Sequence, residues 1–356
     1  MKKTLVALSV LAAASAQAGI EVYNQDGVTV NLKGDIEVVY KKGTAKDSEF
    51  TQEIQDADFG FDVRYAMNDE VSFGGYWEFD GASSDVTAGK DSYAKVGDAY
   101  VAFYTNSYGS IKFGRTCGAL DDAGVGSDYQ FGITSFFNND SSFCADEMVR
   151  YDFDNGSFYA TVALAQDEKN VDRMGKDGHY VDGKLGYRVA GFDFTAYYAQ
   201  ADLSAKAAST EFRLITADDV TKGLDVDGVG AGNYGKATIS AKPQTDEKLM
   251  ALEARYSGVE NLGLGLGYYT VEVKPAAGTK VDADVIALGV DYTVSGVKLA
   301  AGYDIVDVDG AAKKTKNWFL NAGYGIAPST TAYVEVGGNN KDNSETGVAV
   351  GVKASF

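Results

Sequence analysis

The chain has 356 residues, of which 51 are Asp or Glu and 32 are Lys or Arg, giving a formal charge of −19. So acidic a balance excludes an electrostatic grip on nucleic acid, which needs a basic footprint. A mean hydropathy of −0.18 excludes a bundle of membrane helices, while an apolar fraction of 45% is ample for ordered structure.

The chain opens with Lys2 and Lys3, an apolar stretch from Leu5 to Ala16, and the small-residue site Ala16-Gln17-Ala18. This order predicts a secretory signal peptide over 1–18, cleaved to leave one domain over 19–356. Losing the two lysines takes the charge from −19 to −21. Beyond residue 18 there is no run of eighteen apolar residues. The exported chain is therefore either soluble or crosses a membrane as a closed barrel of strands, the one alternative to helices that pairs every backbone group.

From Val28 to Lys41 the residues alternate. Val28, Val30, Leu32, Gly34, Ile36, Val38 and Tyr40 share one face; Thr29, Asn31, Lys33, Asp35, Glu37, Val39 and Lys41 share the other. Period 2 with one charged face predicts a strand wet on one side. The pattern returns in Ala57–Tyr65, in Val71–Phe79 and finally in Val348–Phe356. Sixteen such segments are predicted, at 28–40, 53–66, 69–80, 92–105, 109–116, 147–154, 157–168, 178–189, 191–202, 247–256, 261–273, 282–294, 297–308, 315–326, 330–338 and 344–356. Short turns such as Asn155-Gly156, Ala190-Gly191 and Ser295-Gly296 alternate with longer polar loops, of which 117–146 and 203–246 are the longest. A β-sandwich would not keep one end of every hairpin short. An all-β, 16-stranded antiparallel transmembrane barrel, with short periplasmic turns and long external loops, does so. Sixteen strands enclose a bore too wide for side chains to fill, so the reading is an aqueous channel.

The chain resembles the general porins of the Gram-negative outer membrane along essentially all of its mature length. The resemblance lies in the Val30–Tyr40 strand, Ala57-Asp58-Phe59-Gly60-Phe61, the run from Tyr108 to Arg115, Val149-Arg150-Tyr151 and the terminal Phe356. It implies an outer-membrane homotrimer set among lipid and lipopolysaccharide, and a third external loop, 117–146, that folds inward and narrows the pore. It also implies that Phe356 is read by the barrel-assembly machinery. The chain departs from the family in carrying Asp58 where a basic residue is common, in lacking a Pro-Glu-Phe-Gly-Gly stretch in the third loop, and in the length of 203–246.

Cys117 and Cys144 are the only cysteines, with 26 residues between them. They flank the third loop on neighbouring antiparallel strands in an oxidising compartment, so a disulfide across the loop's base is expected. Asp121, Asp122 and Asp128 crowd that loop. Lys33, Arg64, Lys112 and Arg150 have inward parity opposite it. Arg115 joins this set only by the family pattern, since strict alternation turns it outward. Together with Asp58 these residues are the candidate pore constriction. Inward acids such as Asp35, Glu37, Asp62, Glu78 and Asp291 outnumber the bases, which predicts cation preference. No catalytic set, metal site or cofactor is indicated: the single His179 has no marked nucleophile beside it, and Asp225–Gly228 and Asp307–Gly310 read as turns. The expected activity is passive diffusion of ions and small hydrophilic solutes. The alternatives are a sugar-specific channel, which would need an inward aromatic row, and an adhesin or receptor barrel using 203–246. Tyr76, Tyr197, Tyr269, Phe319 and Tyr333 have inward parity but lie on scattered strands.

Overall fold

The computed structural model describes residues 19–81, 95–132, 143–166, 179–205, 208–214, 224, 226, 228, 234–239 and 241–356. The signal peptide over 1–18 and the Asp225–Gly228 turn lie wholly or partly outside these residues. In chain order the strands are β1 (Ile20–Gln25), β2 (Val28–Lys42), β3 (Phe50–Ala66), β4 (Val71–Asp80), β5 (Lys95–Thr105), β6 (Gly109–Cys117), β7 (Cys144–Asp154), β8 (Phe158–Gln166), β9 (His179–Val189), β10 (Phe192–Leu203), β11 (Ser209–Leu214) and β12 (Tyr234–Ile239). They continue with β13 (Thr245–Tyr256), β14 (Leu262–Pro275), β15 (Val281–Val294), β16 (Val297–Val308), β17 (Thr315–Ala327), β18 (Thr330–Asn339) and β19 (Gly347–Ser355).

Sixteen of these, β2–β10 and β13–β19, form the barrel wall, each pairing antiparallel with its neighbours. The ring is continuous because β10 pairs with β13 across the long loop and β19 pairs with β2. All sixteen fall on predicted segments. The turns explain the registers: Ala190-Gly191 (φ 51° and 84°) and Ser295-Gly296 (φ 51° and 80°) take the left-handed pair of angles that matches the twist of a two-residue hairpin.

Three strands were not anticipated. β1 forms a hairpin with β2 through Asp26-Gly27 (φ 55° and 76°). It pairs with the Val28–Leu32 part of β2, below the point where β19 ends. Phe356 bridges the two stretches, its N–H donating to the Gly34 carbonyl (2.9 Å) while the Gly34 N–H donates to the Phe356 carbonyl (2.8 Å). β1 and Phe356 thus cover an edge that would otherwise expose unpaired backbone. The other two, β11 and β12, pair with each other inside the 203–246 loop.

Alternation sets the two faces. Leu252, Leu264, Leu266, Ile286, Leu288 and Val350 stand exposed on the outer wall, with Tyr65, Tyr187, Phe192, Tyr292 and Tyr324 toward the short-turn end. Apolar residues facing outward under an aromatic rim are what a lipid-spanning barrel requires. The inner face differs from the uniformly wet wall expected. On β8–β10 and β13–β15 it carries Ala163, Ala165, Tyr180, Ala199, Ala201, Leu203, Leu249, Val271, Ala283 and Val285, all buried. They form one apolar cluster with Leu120 and Val125 of the third loop. Part of the lumen is therefore a packed core, and open water is left to one side.

Candidate functional site

The third loop leaves the wall after Cys117, which stands directly opposite Cys144 in the β6–β7 register and is disulfide-bonded to it. A short 3₁₀ turn follows (Ala119–Asp122), with Ala119 and Leu120 fully buried. Its start is held by the buried Asp182 of β9, which accepts hydrogen bonds from the Leu120 N–H (2.9 Å) and the Tyr180 hydroxyl (2.8 Å). The chain then runs along the inner wall. At Gly124 it meets β13, where Glu253 accepts from the Gly124 N–H and Arg255 donates to the Gly124 carbonyl. Asn321 donates to the Ser127 carbonyl (2.7 Å). The far end meets Glu335, fully buried on β18, whose carboxylate accepts from three successive N–H groups: Tyr129 (2.7 Å), Gln130 (2.7 Å) and Phe131. Tyr129 stacks on Tyr333 with ring centroids 4.0 Å apart, and the Gln130 side chain donates to Glu37 (2.8 Å).

Inward glycines let the loop lie this close. A Cβ at Gly289 would stand 2.2 Å from the Val125 carbonyl oxygen, one at Gly323 2.3 Å from the Tyr129 hydroxyl, and one at Gly337 2.3 Å from Phe131 Cβ. The inward glycines on β15, β17 and β18 form a track that beds the loop, so it hugs one wall instead of plugging the bore. Of the Gly263, Gly265, Gly267 stripe on β14, Gly265 joins this track, a Cβ there standing 3.0 Å from Val125 Cβ, whereas Gly263 and Gly267 make room for Asp291 and Tyr269. The role of Gly265 needed the loop's path, which no local pattern reveals.

Opposite the start of the loop lies a row of bases. Arg150 is its hub. Its guanidinium donates to Asp152 (2.9 Å), to Asp122 (3.1 Å) and to the carbonyls of Cys117 (2.9 Å) and Gly118 (3.0 Å). Lys112 pairs with Asp152 (3.4 Å), and Arg64 and Lys33 both pair with Asp62 (3.0 and 2.8 Å). Each of these three lies over a tyrosine ring: Arg64 over Tyr104 at 4.0 Å, Lys112 over Tyr100 at 5.3 Å, Lys33 over Tyr76 at 5.8 Å. Such pairing fixes long basic side chains that would otherwise wander. Asp121 faces the lumen beside Asp122. Its carboxyl is pushed above the ordinary carboxylate range by its packed surroundings and by Asp122, with Arg150 opposing.

Asp58 sits elsewhere on the wall. Its carboxylate lies within 4.8 Å of those of Asp35 and Asp56, and Lys353 pairs with Asp35 at 3.0 Å. Asp128 is exposed further along the loop. Arg115 follows a register shift between Gly114 and Thr116 and forms its ion pair with Asp146. Among the described residues no contact joins it to Asp121 or Asp122. Thr116, which alternation places on the same inward face as Lys112, is buried against Asp98 (3.3 Å). Lys184, Arg188 and Arg255 were missed. Lys184 pairs with Asp122 (2.5 Å), Arg188 with Asp154 (2.9 Å) and Arg255 with Glu253 (2.6 Å). Parity could have found all three, since Tyr180, Asp182, Lys184, Gly186 and Arg188 share a face along β9 and Leu249, Ala251, Glu253 and Arg255 share one along β13.

The family model for Gram-negative porins matches residues 4–344. The chain belongs to this family. The porin is 29% identical to porin-like protein H of Photobacterium profundum and 26% identical to a major outer membrane protein of Pasteurella multocida, each comparison covering the full length of both chains. Among solved structures it is similar to a loop-deletion form of OmpT of Vibrio cholerae (TM-score 0.75, 20% identity, 93% of this chain and 100% of that one). It is also similar to an anion-selective porin of Comamonas acidovorans (TM-score 0.68, 18% identity, 92% and 100%). Membership of the family makes this an outer-membrane porin for passive diffusion, and the solved structures share its barrel fold. A neighbour of opposite expected charge preference shows that the fold leaves selectivity open, so it has to be argued from the lining residues.

Proposed function

We propose that the mature chain is a homotrimeric, cation-preferring diffusion channel for ions and small hydrophilic solutes, narrowed by its third loop. The observation that carries this reading is the path of the loop from Cys117 to Phe131, bedded along one wall with Asp122 paired to Arg150 and Lys184 and Asp121 exposed next to it. Lys33, Arg64, Lys112, Arg150, Asp121 and Asp122 form the charged constriction; Asp58 contributes from its carboxylate cluster on the adjoining wall, and Asp128 from further along the loop. Arg115 is left out, because its described contacts stay on the wall with Asp146.

The sign rests on the acids of the adjoining wall. At the constriction the bases share carboxylates, Asp62 serving Lys33 and Arg64 and Asp122 serving Arg150 and Lys184, while the Asp35, Asp56 and Asp58 carboxylates gather around Lys353. Lines of uncompensated negative charge in a low-dielectric wall concentrate cations. A trimeric assembly is supported by the trimer form recorded for OmpT of Vibrio cholerae. Residues 1–18 serve export, Phe356 presents the chain to the barrel-assembly machinery, and the outer wall meets lipid and lipopolysaccharide. Function here breaks no bond; the solute's own gradient drives it, and the porin supplies a wet path and a filter. The test is the reversal potential across a KCl gradient in planar bilayers. Its sign should report potassium over chloride, and the opposite sign would defeat the selectivity reading.

A further inference from the structure

On the short-turn side of the loop lies a cavity of about 630 Å³ with Asp122 in its lining. It opens toward the periplasmic end, since its rim includes Asn106 and Asp154 beside the short turns. Arg64, Lys184, Arg188 and Arg255 line it against Asp122, Asp152 and Asp154, so bases outnumber acids. The neighbouring space along β13–β15 is the reverse, with Asp193, Glu260 and Asp291 against Arg255 alone. The cavity's lining alone is basic by one residue, and Asp62, Asp193 and Glu253 just behind it pair with Arg64, Arg188 and Arg255.

Its geometry is more particular than its charge. Two guanidinium groups each rest one face on a tyrosine, Arg64 on Tyr104 at 4.0 Å and Arg188 on Tyr159 at 4.1 Å. Their side chains remain 41% and 39% exposed, so the opposite faces are open to the cavity. Each guanidinium also has N–H groups beyond those it gives to Asp62 or to Asp154 and Asp193. A planar ring can stack on such an open face while a carboxylate on that ring takes the remaining donors.

We propose that this cavity is a retention subsite for small aromatic carboxylates entering from the periplasmic side. The volume is within the range of pockets that hold small ligands. The subsite rests on the open-channel reading, because its ligand must arrive by diffusion. It adds to that reading a saturable, shape-dependent step that a simple diffusion path lacks.

The test uses the full trimer in planar bilayers with benzoate on the periplasmic side. Current noise reports the binding rate, and cyclohexanecarboxylate serves as a probe of equal charge without a stacking ring. Benzoate should give saturable excess noise and a mean dwell about tenfold longer than cyclohexanecarboxylate. Arg188→Lys keeps the charge and removes the plane, so it should shorten the benzoate dwell toward that of cyclohexanecarboxylate. The ohmic current in the same traces reports separately that each protein is folded and open. Equal dwells for the two probes, or a benzoate dwell unchanged in R188K, would overturn the subsite while leaving the channel standing.

Discussion

Replacing Glu335 with glutamine should loosen the far end of the third loop while leaving the barrel intact. The carboxylate is fully buried and accepts from the N–H groups of Tyr129, Gln130 and Phe131, with Asn321 donating at 2.9 Å as a fourth partner. Glutamine keeps the volume but has one acceptor oxygen, and its amide nitrogen would face donors. Bonds to a charged acceptor are roughly twice as strong as neutral ones, about 1.5–3 against 0.5–1.5 kcal/mol. Losing about 1 kcal/mol at each of the three loop bonds amounts to about 3 kcal/mol, or about two orders of magnitude in the population of the undocked end. The barrel's ladder does not depend on this group, so heat-stable trimers should persist. Single-channel recording should then show added millisecond-scale fluctuation, and limited proteolysis should cut within 118–132 where the wild type resists. An E335Q channel as quiet and as resistant as the wild type would show that the clasp does not hold the loop.

Gly289→Val would drive a side chain into the Val125 carbonyl, where a Cβ alone would stand at 2.2 Å. The bed should be lost at a cost of about 1–3 kcal/mol, with single-channel conductance falling as the loop moves toward the bore's centre. Changing Cys117 and Cys144 together to serine should lower stability by up to about 3–4 kcal/mol by the loop-entropy model, read as an earlier unfolding midpoint in detergent. Asp121 titrates above the ordinary carboxylate range, so its ionised form is disfavoured by the fold. That penalty is present above the folded pKa and is relieved as the pH falls. Cation preference should accordingly weaken on acidification, and Asp121→Asn should make that change in reversal potential smaller by the share Asp121 contributes.

The wall was legible in the sequence because alternation is local: a strand with one lipid face and one lumen face declares itself residue by residue. β1 was overlooked although Asp26-Gly27 is a strong hairpin signal. β11 and β12 lie in a stretch whose composition reads as loop. The cysteine pair was also within reach, since flanking antiparallel strands bring their ends together. What alternation could not give is the meaning of the inner face on β10 and β13–β15. There Ala199, Ala201 and Leu249 are buried against the loop, although by type they would suit lipid equally well. By parity alone Glu335 and Asp182 are two ordinary acids of the inner face. Each is instead a buried acceptor for loop backbone, a role created by contacts 62 to 206 positions apart. Arg115 shows the opposite failure: a family pattern placed it at the constriction, whereas its own strand's parity turned it away.

Single-channel conductance with neutral polymers of graded size tests most directly that this barrel is an open conduit whose width the bedded loop sets. Purified trimers should give ohmic current steps, with small polymers lowering the conductance and polymers above a sharp size limit leaving it unchanged. Folded trimers that insert without current steps, or a size limit that stays the same when Glu335→Gln releases the loop, would contradict it.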